Sequence, residues 1–223
     1  MEFFKKYKVE DIKIHLTREE IIRRSRILII DDERPDLIDD LKKAGFAVDY
    51  EQDITKENMK ILENPLYDLI LLDYGNVGKS FGQDQGLSLL RFIKRVNPAL
   101  VVYTYTSKAL DSNQADFYRL TDGVLSKDAG IAESLEKIEE GLRRAHSLPN
   151  IWKALMQVAD IKINSEEDKD LQDLYVRGLN SKKKLQRLKS RLSHVLNSDV
   201  TQKIGFALLE KAIELGIKSF LGA

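Results

Sequence analysis

The sequence predicts an α/β fold, a doubly wound five-stranded parallel sheet, followed by an α-helical C-terminal region. Three observations carry this reading. Short runs rich in Ile, Leu and Val recur at RILII (26–30), YDLILL (67–72), LVVYTYT (100–106) and GVLS (123–126), with a weaker run, FAVDY (46–50), between the first two. Runs this short and apolar on both sides suit strands covered on both faces of a parallel sheet. Amphipathic helical periods separate them, and strand and helix alternate five times over about 120 residues. Beyond residue 148 no strand signal appears.

The elements follow in order. Residues 1–25 form an N-terminal extension in which Thr17 and Glu20 make a capping box, so a short helix precedes the first strand. After RILII, DLIDDLKKAG puts Leu37, Ile38 and Leu41 on one face and stops at Gly45. GLSLLRFIKRV repeats apolar positions at 87, 90, 93 and 96, and IAESLEKIEEGLRRA repeats them at 131, 135, 138, 142 and 145. The domain readings are thus 1–25, 26–147 and 148–223. In the last, helices are expected from about Leu148 to Asp160, from behind Ser165, and from Ser198-Asp199 toward Phe220.

Bulk composition excludes several classes. The chain has 223 residues, ample for a core, and 36 basic residues against 36 acidic, so no global field steers it to nucleic acid or membrane. Cysteine is absent, which rules out disulfides and cysteine-ligated metals. The expected compartment is the cytoplasm, with no signal peptide or membrane span among the apolar runs. His15, His146 and His194 are scattered without metal-ligand spacing and read as surface or boundary residues.

In parallel sheets ligands bind at the carboxyl ends of the strands. The first strand ends in Asp31 and Asp32, the third in Asp73, the fourth in Thr106 and the fifth in Lys127. Three carboxylates at one edge repel unless a cation sits among them, and Mg2+ is the natural one. With Lys127 as a second positive charge and Thr106 as a hydroxyl donor, the set suits phosphoryl transfer onto Asp73.

Over residues 26–147 these motifs resemble the CheY-like receiver domains of two-component response regulators, which implies the flavodoxin-like arrangement of the sheet. RILIIDDE is similar to the acidic pair, LILLD to the acceptor strand, the stretch from Gly86 to Thr106 to the spacing of the switch threonine, and DGVLSK to the strand ending in lysine. The resemblance implies Asp73 as phospho-acceptor, Mg2+ held by Asp31, Asp32, Asp73 and the backbone carbonyl of Gly75, and roles for Thr106 and Lys127. It implies a phosphorylated switch with self-catalysed transfer and dephosphorylation rather than a conventional enzyme. The partner it implies is a histidine kinase or phosphotransfer protein. On phosphorylation Thr106 is drawn inward and the surface of the fourth helix and fifth strand shifts. The chain departs from the pattern in a longer loop after Asp73, in Val124 where an aromatic is common, in Ser107, and in Asp128 after the lysine. Tyr103 and Tyr105 are candidate substitutes for the aromatic.

A rival motif lies in the loop. GNVGKS ends like a phosphate loop, G-x-x-x-x-G-K-[ST], but the first glycine position is Asp73, whose charge repels phosphate oxygens. That reading also leaves Thr106 and Lys127 unexplained, and GNVGKSFGQ reads instead as a flexible surface loop, with Lys79 available to screen the acidic site.

Residues 148–223 carry 13 Lys and Arg against 9 Asp and Glu, a net +4, and the remainder has 23 against 27, a net −4. The run KKKLQRLKSR (182–191) reads as a solvated helix face, with nucleic-acid contact as the less favoured alternative. Leu171, Leu174, Leu185, Leu188, Leu192 and Val195 fall at heptad a and d positions interrupted by Gly178 and Ser181, which suits packing on another helix. The last helix has a wide apolar face, including Ile204, Leu208, Ile213, Leu215 and Ile217, that calls for burial in a bundle or homodimer. Trp152 is expected to pack between the helical region and the receiver. The output is then association or, alternatively, phosphorylation-controlled DNA binding. A third alternative is a receiver-like scaffold that works without phosphorylation.

Overall fold

The computed structural model describes residues 6–63, 66–107 and 115–221. The first five residues of the N-terminal extension lie outside that range. The chain divides into two compact units, Leu16–Ala145 and a helical unit of Met1–His15 with His146–Ala223. The N-terminal 25 residues therefore split: those up to His15 go with the helical unit, and the helix α1 (Arg18–Arg24) goes with the sheet. Its capping box forms, with Thr17 Oγ1 accepting from the Glu20 amide and Glu20 Oε2 from the Thr17 amide.

Five strands, β1 (Arg26–Ile30), β2 (Ala47–Glu51), β3 (Leu69–Leu72), β4 (Val101–Thr106) and β5 (Gly123–Ser126), pair in parallel in the order β2-β1-β3-β4-β5. The crossovers carry α2 (Leu37–Lys43), α3 (Lys60–Glu63), α4 (Gly86–Val96) and α5 (Ala115–Leu120), and α6 (Ile131–Ala145) follows β5.

The two-residue strand period sorts the core into two layers. Ile27, Ile29, Leu69, Leu71, Tyr103 and Leu125 pack with Ile21 of α1, Ile38 and Leu41 of α2, and Ile138 and Leu142 of α6. Their neighbours Leu28, Ile30, Ile70, Leu72 and Val102 pack with Leu62 of α3, Leu87, Leu90 and Ile93 of α4, and Phe117 of α5. Both faces are covered, as the unbroken apolar runs require.

The helical unit contains α7 (Leu148–Val158), α8 (Glu166–Gly178), α9 (Lys182–Val195) and α10 (Asp199–Leu221). Ser165 caps α8, its hydroxyl accepting from the Asp168 amide. The expected heptad seam does not run along one helix. The chain turns at Leu179–Ser181, directly after Gly178, where asparagine and serine favour a turn, and α8 and α9 become separate packed helices. Of the seam residues, Leu171, Leu188 and Leu192 are buried, while Leu174, Leu185 and Val195 are half-buried.

Trp152 has contacts within the helical unit. Its indole Nε1 donates to Asp168 Oδ1 at 2.8 Å, and its ring lies 5.3 Å from that of Tyr175. Asp168 is fully buried and accepts in addition from the Asn164 amide and Gln172 Nε2. Gln172 in turn accepts from the Val9 amide, which ties the N-terminal arm to α8. His146 is 5% exposed, a buried residue rather than a surface one.

Candidate functional site

Strand register sets the candidate site. Ile30 of β1 pairs with Leu72 of β3, so Asp31 and Asp73 leave the sheet at the same level. The Asp73 amide donates to the Ile30 carbonyl at 2.9 Å, and the Asp31 amide to that of Glu51 at 3.2 Å. Thr106 pairs with Ser126, and the Lys127 amide donates to the Thr106 carbonyl at 2.9 Å, which brings the ends of β4 and β5 to the same edge. Carboxylate oxygens of Asp31, Asp32 and Asp73 all lie within 4.8 Å of one another.

Lys127 reaches into this cluster. Its ammonium is 2.6 Å from Asp31 Oδ2 and 3.6 Å from Asp73 Oδ1. Burial pulls its pKa down, but the Asp31 contact and the charges of Asp73 and Asp32 outweigh this and hold it above the ordinary lysine value. Burial pushes the Asp73 carboxyl up, and although Lys127 acts against it, Asp31 and Asp32 push it further the same way.

Three carboxylates thus face one ammonium. Hard oxygen donors in excess of local positive charge are a donor set for a divalent cation such as Mg2+, and the residues fit one. Gly75 adjoins the same place: a Cβ there would lie 3.6 Å from Asp73 Oδ2. Thr106 is 8% exposed at the end of β4.

Of the two candidate tyrosines, Tyr105 is the one beside Lys127. Its ring lies 5.4 Å from the Lys127 ammonium, and burial, then the charges of Asp31 and Asp36, push its hydroxyl up to about 12. Val124 points outward, 39% exposed. Tyr103, two residues earlier on the same face, packs its ring over Gly123 and Gly141.

The loop after Asp73 is not a loose surface segment. Val77 is fully buried, the Gly78 amide donates to Asp53 Oδ1, and the Lys56 amide donates to Ser80 Oγ. Residues Lys79–Phe81 form a 3-10 turn, with the Phe81 ring 4.9 Å from Phe92 of α4. Lys79 itself is exposed, and the ammonium found among the acidic side chains is that of Lys127.

Asn76, absent from the motif reading, donates its side-chain amide to Asp32 Oδ2 at 2.8 Å, and its backbone amide donates to Gln85 Oε1. It adopts a left-handed conformation, φ 58°, which asparagine tolerates better than most residues. Gln52 Nε2 and Tyr50 Oη hold the carbonyls of Asp32 and Asp31. The only trace of Asn76 in the sequence was a residue suited to positive φ after a glycine.

No family model matches the chain, and no curated protein matches it. Among solved structures it is similar to a CheY-like response regulator receiver domain protein from Methanospirillum hungatei JF-1, with 25% identity and TM-score 0.44 over 54% of this chain and 95% of that one. It is similar also to a two-component response regulator from Clostridium difficile, with 26% identity and TM-score 0.45 over 55% and 99%. A response regulator from Thermotoga maritima matches at 18% identity and TM-score 0.45 over 53% and 98%. The strand order and the acidic triad at the strand ends are those expected of the receiver fold that the sequence resembles, over about half of the chain. A helical C-terminal region follows it.

Proposed function

We propose that this chain is a response regulator of a phosphorelay, a cytoplasmic switch that accepts a phosphoryl group on Asp73 from a histidine kinase or phosphotransfer protein. The observation that carries the reading is the convergence of Asp31, Asp32 and Asp73 within 4.8 Å, with the Lys127 ammonium between Asp31 and Asp73. A carboxylate oxygen of Asp73 attacks phosphorus; the new P–O bond forms as the P–N bond to the donor histidine breaks, and the imidazole leaves with the electron pair. Lys127 neutralises charge on the transferring oxygens, and the Thr106 hydroxyl hydrogen-bonds one of them. Mg2+, held by Asp31, Asp32, Asp73 and the Gly75 carbonyl, would supply further charge neutralisation there. Hydrolysis of the acyl phosphate at the same site resets the switch.

Phosphorylation shifts a two-state equilibrium of the β4–β5 edge, and the helical unit reads it out by homodimerisation. A second output, DNA binding, is favoured by one observation: Lys182, Lys183, Arg187, Lys189 and Arg191 of α9 are all exposed. Duplex affinity that falls steeply with salt and is lost on neutralising residues 182–184 would favour DNA over dimerisation.

The reading is tested by intact mass after incubation with Mg2+ and acetyl phosphate. One added phosphoryl group is expected, absent without metal and in Asp73→Asn. No adduct with acetyl phosphate, nor with a phosphorylated histidine donor, would leave a phosphorylation-independent scaffold.

A further inference from the structure

The helical unit carries a groove between α9 and α10, of about 520 Å3, with Leu185, Ile213 and Ile217 as its apolar floor. Ile217 is 37% exposed, while the apolar residues on the other side of α10 (Ile204, Leu208, Ala212 and Leu215) are buried and α10 packs on α7. The face toward the groove is thus the part of the wide apolar surface of α10 that this chain leaves uncovered.

The rims have opposite charge. Lys182 and Lys189 line the α9 side, and Glu210 and Glu214 the α10 side. Only the residues 196–198 join the two helices, so they run antiparallel. Lys189 lies level with Glu210, 3.6 Å away, and Lys182 lies one helical heptad further, toward Glu214 and Ile217. Both members of the 3.6 Å pair keep much of their surface in solvent, 46% and 69% of their side chains.

A partner of one sign meets repulsion on one rim. A nucleic acid would face the glutamates, and a cationic peptide the lysines. A surface split lengthwise into a positive and a negative half is complementary to itself under one symmetry: a two-fold axis running along the groove. That rotation carries each α9 rim over the α10 rim of the other copy without sliding along the groove. Lys189 then faces Glu210 of the second copy, Lys182 faces the level of Glu214, and the two apolar strips face each other across the axis, where the exposed Ile217 side chains can meet. A two-fold axis across the groove would instead set lysine on lysine.

We infer that the α9–α10 groove is the site at which a second copy of this chain docks, with the two-fold axis parallel to the groove. This rests on the dimer output proposed above and names its surface. The chain has no cysteine, so a single introduced thiol is specific. Near the axis a residue meets its own copy, and Ile217→Cys should oxidise to a covalent dimer, whereas Lys43→Cys, exposed on α2, should not. In sedimentation velocity on the full chain, before and after acetyl phosphate, dimer is expected for the native protein. Dimer should be lost in Lys189→Glu and in Ile213→Glu, and restored in the swap Lys189→Glu with Glu210→Lys, with circular dichroism confirming that each variant folds.

A dimer that ignores these changes, with no cross-link at 217, would overturn the groove and leave the dimer output standing. A monomer at every concentration that still takes a phosphoryl group would overturn both and leave the acceptor reading intact. Duplex DNA binding lost in Lys189→Glu, without any dimer, would assign the groove to nucleic acid and overturn the inference.

Discussion

Asp73 is held among two other carboxylates in a site 14% exposed at its own side chain, and the cost of that placement is measurable. Burial, with Asp31 and Asp32 behind it, raises its pKa in the fold despite Lys127. The folded state therefore binds this proton more tightly than the unfolded chain does. The proton contributes stability below the unfolded carboxylate value, roughly 3.9, and that contribution is lost as pH rises through the folded value. Asp73→Asn has no charge to desolvate. It should melt higher than the native protein near neutrality, and the difference should shrink as pH falls toward about 4, read by circular dichroism. Gly86 supports the same residue from below. A Cβ there would lie 2.7 Å from the Asp73 carbonyl oxygen and 2.8 Å from that of Tyr74, both backbone atoms without freedom to yield. Gly86→Ala should cost about 1–3 kcal/mol in urea unfolding, in the range of other overpacked sites, and slow phosphoryl uptake by moving Asp73.

Elements explain which parts of the account were legible in advance. All five strands were readable within about two residues of their observed ends, because burial on both faces leaves unbroken apolar runs. α2, α4 and α6 were readable from periodicity ending at Gly45 and from repeats over three turns or more. α3 is four residues long and α5 six, too short for a period to declare itself. The split of α8 from α9 needed weight on Gly178, Asn180 and Ser181 that the leucine spacing masked. That Asp31, Asp32, Asp73, Thr106 and Lys127 share one edge of the sheet was legible because each stands at a strand end, where sequence position and spatial position coincide. Asn76, Asp53 and Gln52 were not, since they act between two loops whose meeting depends on the folded sheet. In the helical unit, Trp152→Phe removes the indole donor to buried Asp168 and should cost about 1–3 kcal/mol, measured by the loss of helical ellipticity in urea.

At the scale of the whole molecule, the acidic pocket and the helical unit belong to separate compact units, and the chain crosses between them at His15–Leu16 and again at Ala145–His146. Among the described residues no helix is long and apolar enough to cross a membrane. A ligand that binds only the folded pocket stabilises it by mass action. Mg2+ at a hundred times its dissociation constant should add about 2.7 kcal/mol, and Asp32→Asn should reduce that gain in calcium-free thermal scans. The proposed switch turns on one atom group, the Asp73 carboxylate. The most direct measurement treats the phosphorylated protein with borohydride, which reduces an aspartyl phosphate to homoserine, and locates that residue by peptide sequencing in a mass spectrometer. The account predicts homoserine at position 73 and nowhere else. Homoserine at Asp31 or Asp32, or a stable phosphoester on a serine or threonine instead, would contradict it.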